Sequence, residues 1–197
     1  MPKHFFFDLD KTLTTSRSEM NAAHKPLFRR LCTERDVAIM SGGNEAQIRE
    51  QTTAEFDGMY YALGQSGNHA VDKNGVELWN DVLSPEQVSA TLAFIEQLKQ
   101  HFAIDVKDPN DLVENRGAQI SYSVIGFHEA TEKKYAFDPD DSRRAAALRT
   151  MAHAVTTLND AGVEVVPAGT TTFNFMALGR HKGYNVRRFI DHMGWNA

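Results

Sequence analysis

A single cysteine, Cys32, stands in 197 residues. It excludes an intrachain disulfide framework and suits a reducing cytoplasm. Cys32 falls in a helical pattern and reads as a small core residue. No apolar run approaches the roughly 18 residues that cross a membrane. The chain start leads straight into a strand, which leaves no room for a signal peptide. Cytoplasmic residence is the expectation. Basic blocks are lacking too. With a net charge of -5, the chain has no electrostatic footprint for nucleic acid. The eight histidines are scattered and form no His-x-x-x-His pair or Cys/His set, which argues against zinc. Internal repeats and low-complexity tracts are absent.

What remains is an ordinary globular composition, 42% hydrophobic and 24% charged. The length allows one domain with a large insertion, or two small domains. An apolar strand is expected from His4 to Leu9, followed by a helix between Met20 and Thr33 with Leu27, Phe28 and Leu31 on one face. Val37 to Met40 reads as a second buried strand. It runs into Ser41-Gly42-Gly43-Asn44, where Asn44 caps a helix from Glu45 to Gln51. Met59 to Leu63 is a third strand. Strands and helices alternating at this spacing predict parallel βαβ units.

The pattern changes near Val82. Ser84 and Pro85 open a helix running to about His101. Ala118 to Ile125 alternates like a half-buried strand, with Ile120, Tyr122 and Val124 against Gln119, Ser121 and Ser123. A helix is expected from Ser142 to Ala161, then strands at Val163–Val166 and Thr171–Met176. Helices with antiparallel strands suggest a separate α+β layer at residues 81–178. The sheet core is then 1–80 with 179–197, ending in a helix with Val186, Phe189, Ile190 and Met193 on one stripe. Trp79, Tyr60 and Tyr61 read as packing residues.

The chemistry concentrates where the first strand ends. Asp8 and Asp10 are two residues apart, a spacing that puts both carboxylates on one side of an extended backbone. Such a pair repels unless a cation sits between them. A hard divalent ion such as Mg2+, held by Asp8 and Asp10, is the economical explanation. The turn Ser41-Gly42-Gly43-Asn44 alone is a plain helix cap. After such a strand it becomes a phosphate cradle, with outward N–H groups at a helix N-terminus. Both turns lie at strand C-termini, where open α/β sheets bind ligands. Lys182, in Gly-x-x-Lys-Gly at the mouth of a helix, supplies a cation for phosphoryl oxygens.

Asp8-x-Asp10-x-Thr12-Leu13-Thr14 resembles the first motif of the haloacid dehalogenase (HAD) phosphotransferase superfamily. The resemblance implies an α/β fold: a Rossmann-like parallel-sheet core with an inserted α+β cap. It makes Asp8 the nucleophile that takes a phosphoryl group and Asp10 the general acid/base. Ser41, Gly42, Gly43, Thr12 and Lys182 become the phosphate contacts. Order and wording are similar to the eukaryotic-type phosphomannomutase branch, strongly at Asp8–Thr14 and loosely in the cap. That branch implies sugar-phosphate contacts at Arg17, Arg116, Thr172 and Asn174, and a cap surface suited to a homodimer. Thr172 and Asn174 stand where it has serine and aspartate. Phe127 stands where it has a phosphate-binding arginine, with Lys134 as a substitute point charge. The family's fourth, acidic motif has no counterpart before Ala197, so a fragment short of the last core strands is expected, with the first strand's edge bare.

The expectation is an Mg2+-dependent phosphotransferase acting on a phosphorylated sugar through an aspartyl-phosphate. Hydrolysis is favoured over hexose-phosphate isomerisation because of Phe127. A degenerate fold that only binds is the reading from another class.

Overall fold

The computed structural model describes residues 2–15 and 17–195; the final Asn196 and Ala197 lie outside these. The chain divides into two compact units, Met1–Asp81 with Arg180–Ala197, and Val82–Gly179.

The first unit is a five-stranded mixed sheet in the order β1-β2-β3-β4-β5, comprising β1 (His4–Asp8), β2 (Asp36–Met40), β3 (Tyr61–Gly64), β4 (His69–Val71) and β5 (Glu77–Asn80). The first three strands are parallel, joined by α1 (Lys25–Glu34) and α2 (Glu45–Thr52), and the last two fold back antiparallel. Alternation along β2 sends Val37 and Ile39 to one face, with Phe28, Cys32 and Ile48 from the two helices. Ala38 and Met40 face the other way, with Leu63, Trp79 and Phe189. Phe189 belongs to α7 (Lys182–His192) and is fully buried. Its ring lies edge-on to Phe6, Tyr61, Trp79 and Trp195, 5.2–6.1 Å between centroids. Helices thus cover both faces, the layering a largely parallel sheet needs.

The second unit is an antiparallel sheet in the order β6-β7-β9-β8: β6 (Val113–Asn115), β7 (Ile120–Ser123), β8 (Val163–Ala168) and β9 (Thr172–Ala177). Ile120, Tyr122, Phe173 and Phe175 pack one face onto α3 (Pro85–Phe102) and α6 (Ala152–Asp160). Period-two alternation leaves Ser121, Ser123, Thr172 and Asn174 on the other face. Ser84 and Gln87 close a capping box at the start of α3. Two further helices are α4 (Thr131–Phe137) and α5 (Ser142–Thr150).

Several boundaries differ from the sequence reading. The first helix starts at Lys25, not Met20, because Pro26 is tolerated only in a first turn, where no N–H partner is needed. The expected helix from Ser142 to Ala161 breaks at Met151, whose backbone (φ -95°, ψ 25°) is not helical. Among the described residues no helix is long and apolar enough to cross a membrane.

The connection from β3 to β4 is unusual. Gln65, Ser66 and Gly67 have consecutive positive φ values of 55°, 61° and 86°. A Cβ on Gly67 would come within 2.5 Å of the Asn185 Cβ. Gly67→Ala is expected to cost about 1–3 kcal/mol through this overlap and the backbone strain, read as a lower urea midpoint.

Candidate active site

Asp8 closes β1 and pairs in register with Met40, which in turn pairs with Leu63. Three strand ends therefore finish level, and the turns that follow share one end of the sheet. Beyond Asp8 the chain bends at once. Leu9 is fully buried, and its carbonyl accepts the N–H groups of Thr12, Leu13 and Thr14 at 3.0–3.3 Å. Lys11, at φ 62°, makes the reversal. Asp10 thus lies past the end of the strand, in a lone bridge with Thr14. The Arg17 N–H donates to Asp10 Oδ1 at 3.3 Å. This loop is tied to α2 through Gln51: the Thr14 hydroxyl donates to Gln51 Oε1 at 2.8 Å, and the Met20 N–H to the Gln51 carbonyl at 2.7 Å.

Lys182, the first residue of α7, reaches Asp8. Its Nζ lies 2.5 Å from Asp8 Oδ1, with both side chains about half exposed. The two residues are 174 apart in sequence. A charge-assisted pair across that separation is specific placement by the fold.

The turn after β2 differs from the expectation of outward N–H groups. Ser41 is buried and its Oγ accepts the Gly43 N–H at 3.0 Å. The Asn44 N–H donates to Gln47 Oε1 at 2.9 Å, and Asn44 Oδ1 accepts the Gln47 N–H at the same distance. The Asn44 amide is therefore occupied inside the capping box and the Gly43 amide by the Ser41 hydroxyl. An anion there must compete with these internal bonds. Thr12 is exposed on the reversal next to Lys11.

The remaining candidates lie in the second unit. Register places Glu114, Ser121, Asn174 and Val166 in one row across the sheet. Arg116 Nη1 donates to Ser121 Oγ at 3.1 Å, and its other nitrogen pairs with Glu114. The Ser121 hydroxyl donates to Asn174 Oδ1 at 2.9 Å. Arg116 and Asn174 are thus linked through Ser121. Thr172, on the same face, gives its carbonyl to Arg144. Lys134 stands apart on α4, where its ammonium donates to the carbonyl of Phe127.

Near that loop, Asp111 accepts from the His128 N–H at 2.8 Å and pairs with its ring at 2.6 Å. Burial pushes the Asp111 carboxyl up. The His128 backbone and ring bonds outweigh it, and the net shift is downward. Asp138 follows the same balance: burial raises it, while Arg144 and two backbone N–H groups hold it below the usual value.

Glu114 as partner of Arg116 was missed by sequence reasoning. So were Asn68 and Asn185, which pack beside the Lys182 turn. A signal existed for Asn185, a polar residue four before Phe189 on the buried stripe of α7.

Asp8 and Asp10 offer hard carboxylate oxygens, the donor chemistry Mg2+ takes. No cluster of three His, Cys, Asp or Glu suited to a metal exists among the described residues. Mg2+ usually binds through one or two carboxylates plus water and substrate phosphate. The donor set fits an ion completed in that way.

Comparison with known proteins accords with this geometry. No family model matches the chain. It is 22% identical over 192 residues to phosphomannomutase 2 of Dictyostelium discoideum, covering 94% of this chain and 76% of that protein. Among solved structures it is similar to a HAD-superfamily phosphatase from Bacteroides thetaiotaomicron, with a TM-score of 0.62 at 11% identity, covering 100% of this chain and 74% of that one. A haloacid dehalogenase-like hydrolase from B. subtilis gives 0.63 at 13% identity, covering 98% and 79%. The chain has the fold of the HAD phosphatases, and the distant match to a phosphomannomutase agrees with the resemblance in its motifs.

Proposed function

We infer that this protein is a HAD-type phosphotransferase that moves a phosphoryl group from a phosphorylated sugar onto Asp8 and then to water. The observation that carries the reading is the Asp8–Lys182 pair at a strand C-terminus, with Asp10 two residues on.

Phosphoryl transfer needs a nucleophile, charge neutralisation and a proton for the leaving oxygen. Lys182 holds Oδ1 of Asp8, which leaves Oδ2 to attack phosphorus. The P–O bond to the sugar breaks as the P–O bond to Asp8 forms, and Asp10 gives its proton to the departing sugar oxygen. Asp10, now a carboxylate oriented by the Arg17 N–H, takes a proton from water. That water attacks the aspartyl-phosphate, releasing inorganic phosphate and restoring Asp8. Lys182 stays beside the charge throughout. Mg2+ held by the Asp8 carboxylate and by an oxygen of Asp10 that does not carry the proton would supply further neutralisation of the phosphoryl oxygens.

Water is favoured as acceptor because the residues expected from the resemblance to hold a second phosphate are replaced or engaged elsewhere. Phe127 stands in place of an arginine, Lys134 is engaged by the Phe127 carbonyl, and Arg116 is neutralised by Glu114. A mutase must bind a bisphosphate at either end. The match to a phosphomannomutase favours that second reading.

A phosphorus NMR time course of mannose 1-phosphate with the protein, Mg2+ and a trace of hexose bisphosphate separates them. Growth of the inorganic phosphate signal is expected. Growth of a 6-phosphate signal instead would establish the mutase cycle. A spectrum unchanged across a panel of phosphosugars would leave a binding protein.

A further inference from the structure

We propose that Asn185 is a positioning residue for Lys182, clamping the turn that aims its ammonium at Asp8. Lysine is a point charge on a flexible stem. Its aim therefore depends on where its Cα is held. Lys182 begins α7, and the carbonyl of Arg180, two residues earlier, is fixed from two sides: Asn185 Nδ2 and Asn68 Nδ2 each donate to it at 3.0 Å. Both asparagines are buried, at 0% and 1% exposure.

The same Asn185 amide nitrogen also lies 3.0 Å from the Ser66 carbonyl and from Asn68 Oδ1. Three acceptors surround two hydrogens, so the site is built around a donor. Asn185 Oδ1, by contrast, is buried with no hydrogen-bond partner. Buried polar atoms are nearly always paired, and here the pairing is concentrated on the donor side of Asn185.

The clamp also reaches the other side of the site. Ser66 donates its N–H to the Ser41 carbonyl at 2.8 Å, and Gln65 donates to the Gly43 carbonyl at 2.7 Å. The strained 65–67 run is thus bonded to the turn after β2 directly, and to the turn before α7 through the Asn185 amide. Asn185 couples the two, and strain of this kind persists where surrounding contacts over-determine it.

Asn185→Leu keeps the shape and removes the donor. Asn68→Ala removes only one arm of the clamp and is the milder variant. The first readout is zero-length carbodiimide cross-linking followed by peptide mass spectrometry. It compares the Asp8–Lys182 link with the Lys25–Glu55 link, an ion pair of 2.6 Å in the same unit. The ratio is expected to fall about tenfold in Asn185→Leu, since small displacements of reacting groups cost that much or more. A general loss of structure would lower both links and leave the ratio unchanged. That result overturns the proposal, as does loss of the folded circular dichroism signal in both variants.

The second readout rests on the phosphoryl-transfer reading. With an aryl phosphate, kcat should fall about 10–100-fold at nearly constant KM. Asn185→Leu should add nothing to Lys182→Ala, because it acts through that residue. Additive losses overturn the proposal. Wild-type protein inactive on every phosphate ester would sink the functional reading alone, because the cross-linking result stands by itself.

Discussion

Asp8→Asn is expected to lower phosphate release by about 10^4-fold or more, the scale seen when a covalent nucleophile is removed. The fold should be unchanged. Asp8 is exposed at a strand end, so the amide replaces a carboxylate without opening a cavity. Circular dichroism and the urea midpoint should match wild type. The substituted carboxamide would keep a hydrogen-bond acceptor toward Lys182 but would lack the anionic oxygen that attacks phosphorus. Asp10→Asn should give a different pattern. A general acid contributes about 10^2–10^4-fold, and it matters most when the leaving group is basic. Loss should therefore be larger with a sugar phosphate than with p-nitrophenyl phosphate, whose leaving group departs without a proton. Full activity in Asp8→Asn would dispose of the covalent mechanism. Equal losses on both esters in Asp10→Asn would deny that residue the acid role.

The second large effect concerns stability. Arg144 is fully buried in the second unit. Its Nε donates to Asp138 Oδ2 at 2.7 Å, one Nη to the carbonyls of Ala168 and Thr172 at 2.6 and 2.7 Å, and the other to the Gly169 carbonyl at 3.0 Å and to Asp141. One side chain thus closes the β8–β9 hairpin and anchors the start of α5. Arg144→Met should lower the unfolding free energy by about 3–5 kcal/mol, because Asp138 is left as an unpaired buried charge and the carbonyls lose their donors. The double variant Arg144→Met with Asp138→Leu should recover part of that loss in urea titrations. An additive double variant would show that the carboxylate carries no penalty.

The pH dependence has a defined sign. Asp138 is held below its ordinary value in the folded protein. Its contribution is present above the unfolded value, roughly 3.9. It is lost as pH falls through the depressed folded value, because the unfolded chain binds the proton first. The double variant should lack this component of acid unfolding.

Much of the first unit is legible in sequence because its strands are short continuous apolar runs broken by strong punctuation. Val37–Met40 followed by Ser41-Gly42-Gly43-Asn44 is such a case. The hairpin strands β4 and β5, and β6 of the second unit, escaped because each has only three or four residues and no apolar alternation of its own. Their pairing is decided by neighbours. The break at Met151 escaped for a related reason: flanking alanines favour helix on either side, and the bend has no glycine or proline to mark it.

For the site, residue types are visible and partners are not. Asp8, Asp10 and Lys182 stand in recognisable wording, yet sequence alone does not reveal that Gly43 gives its amide to Ser41, or that Glu114 neutralises Arg116. Each pair is only two residues apart, so these are facts of local backbone and side-chain geometry. They follow from how a turn folds and where a side chain then points, and a single sequence leaves that open.

The separation between Asp8 and Lys182 has a consequence for synthesis. The first unit is built from Met1–Asp81 and Arg180–Ala197, so a ribosome finishes the whole second unit before it makes α7 of the first. Until then the aromatic faces of Phe6, Tyr61 and Trp79 lack Phe189, and Asp8 has no Lys182 beside it. Contacts of such long range form slowly, and the waiting apolar surface is an opening for aggregation. The nascent chain therefore passes through a stage in which one half is finished and inert while the half bearing the aspartates is sticky and still silent. Its dependence on chaperones should be concentrated in that interval.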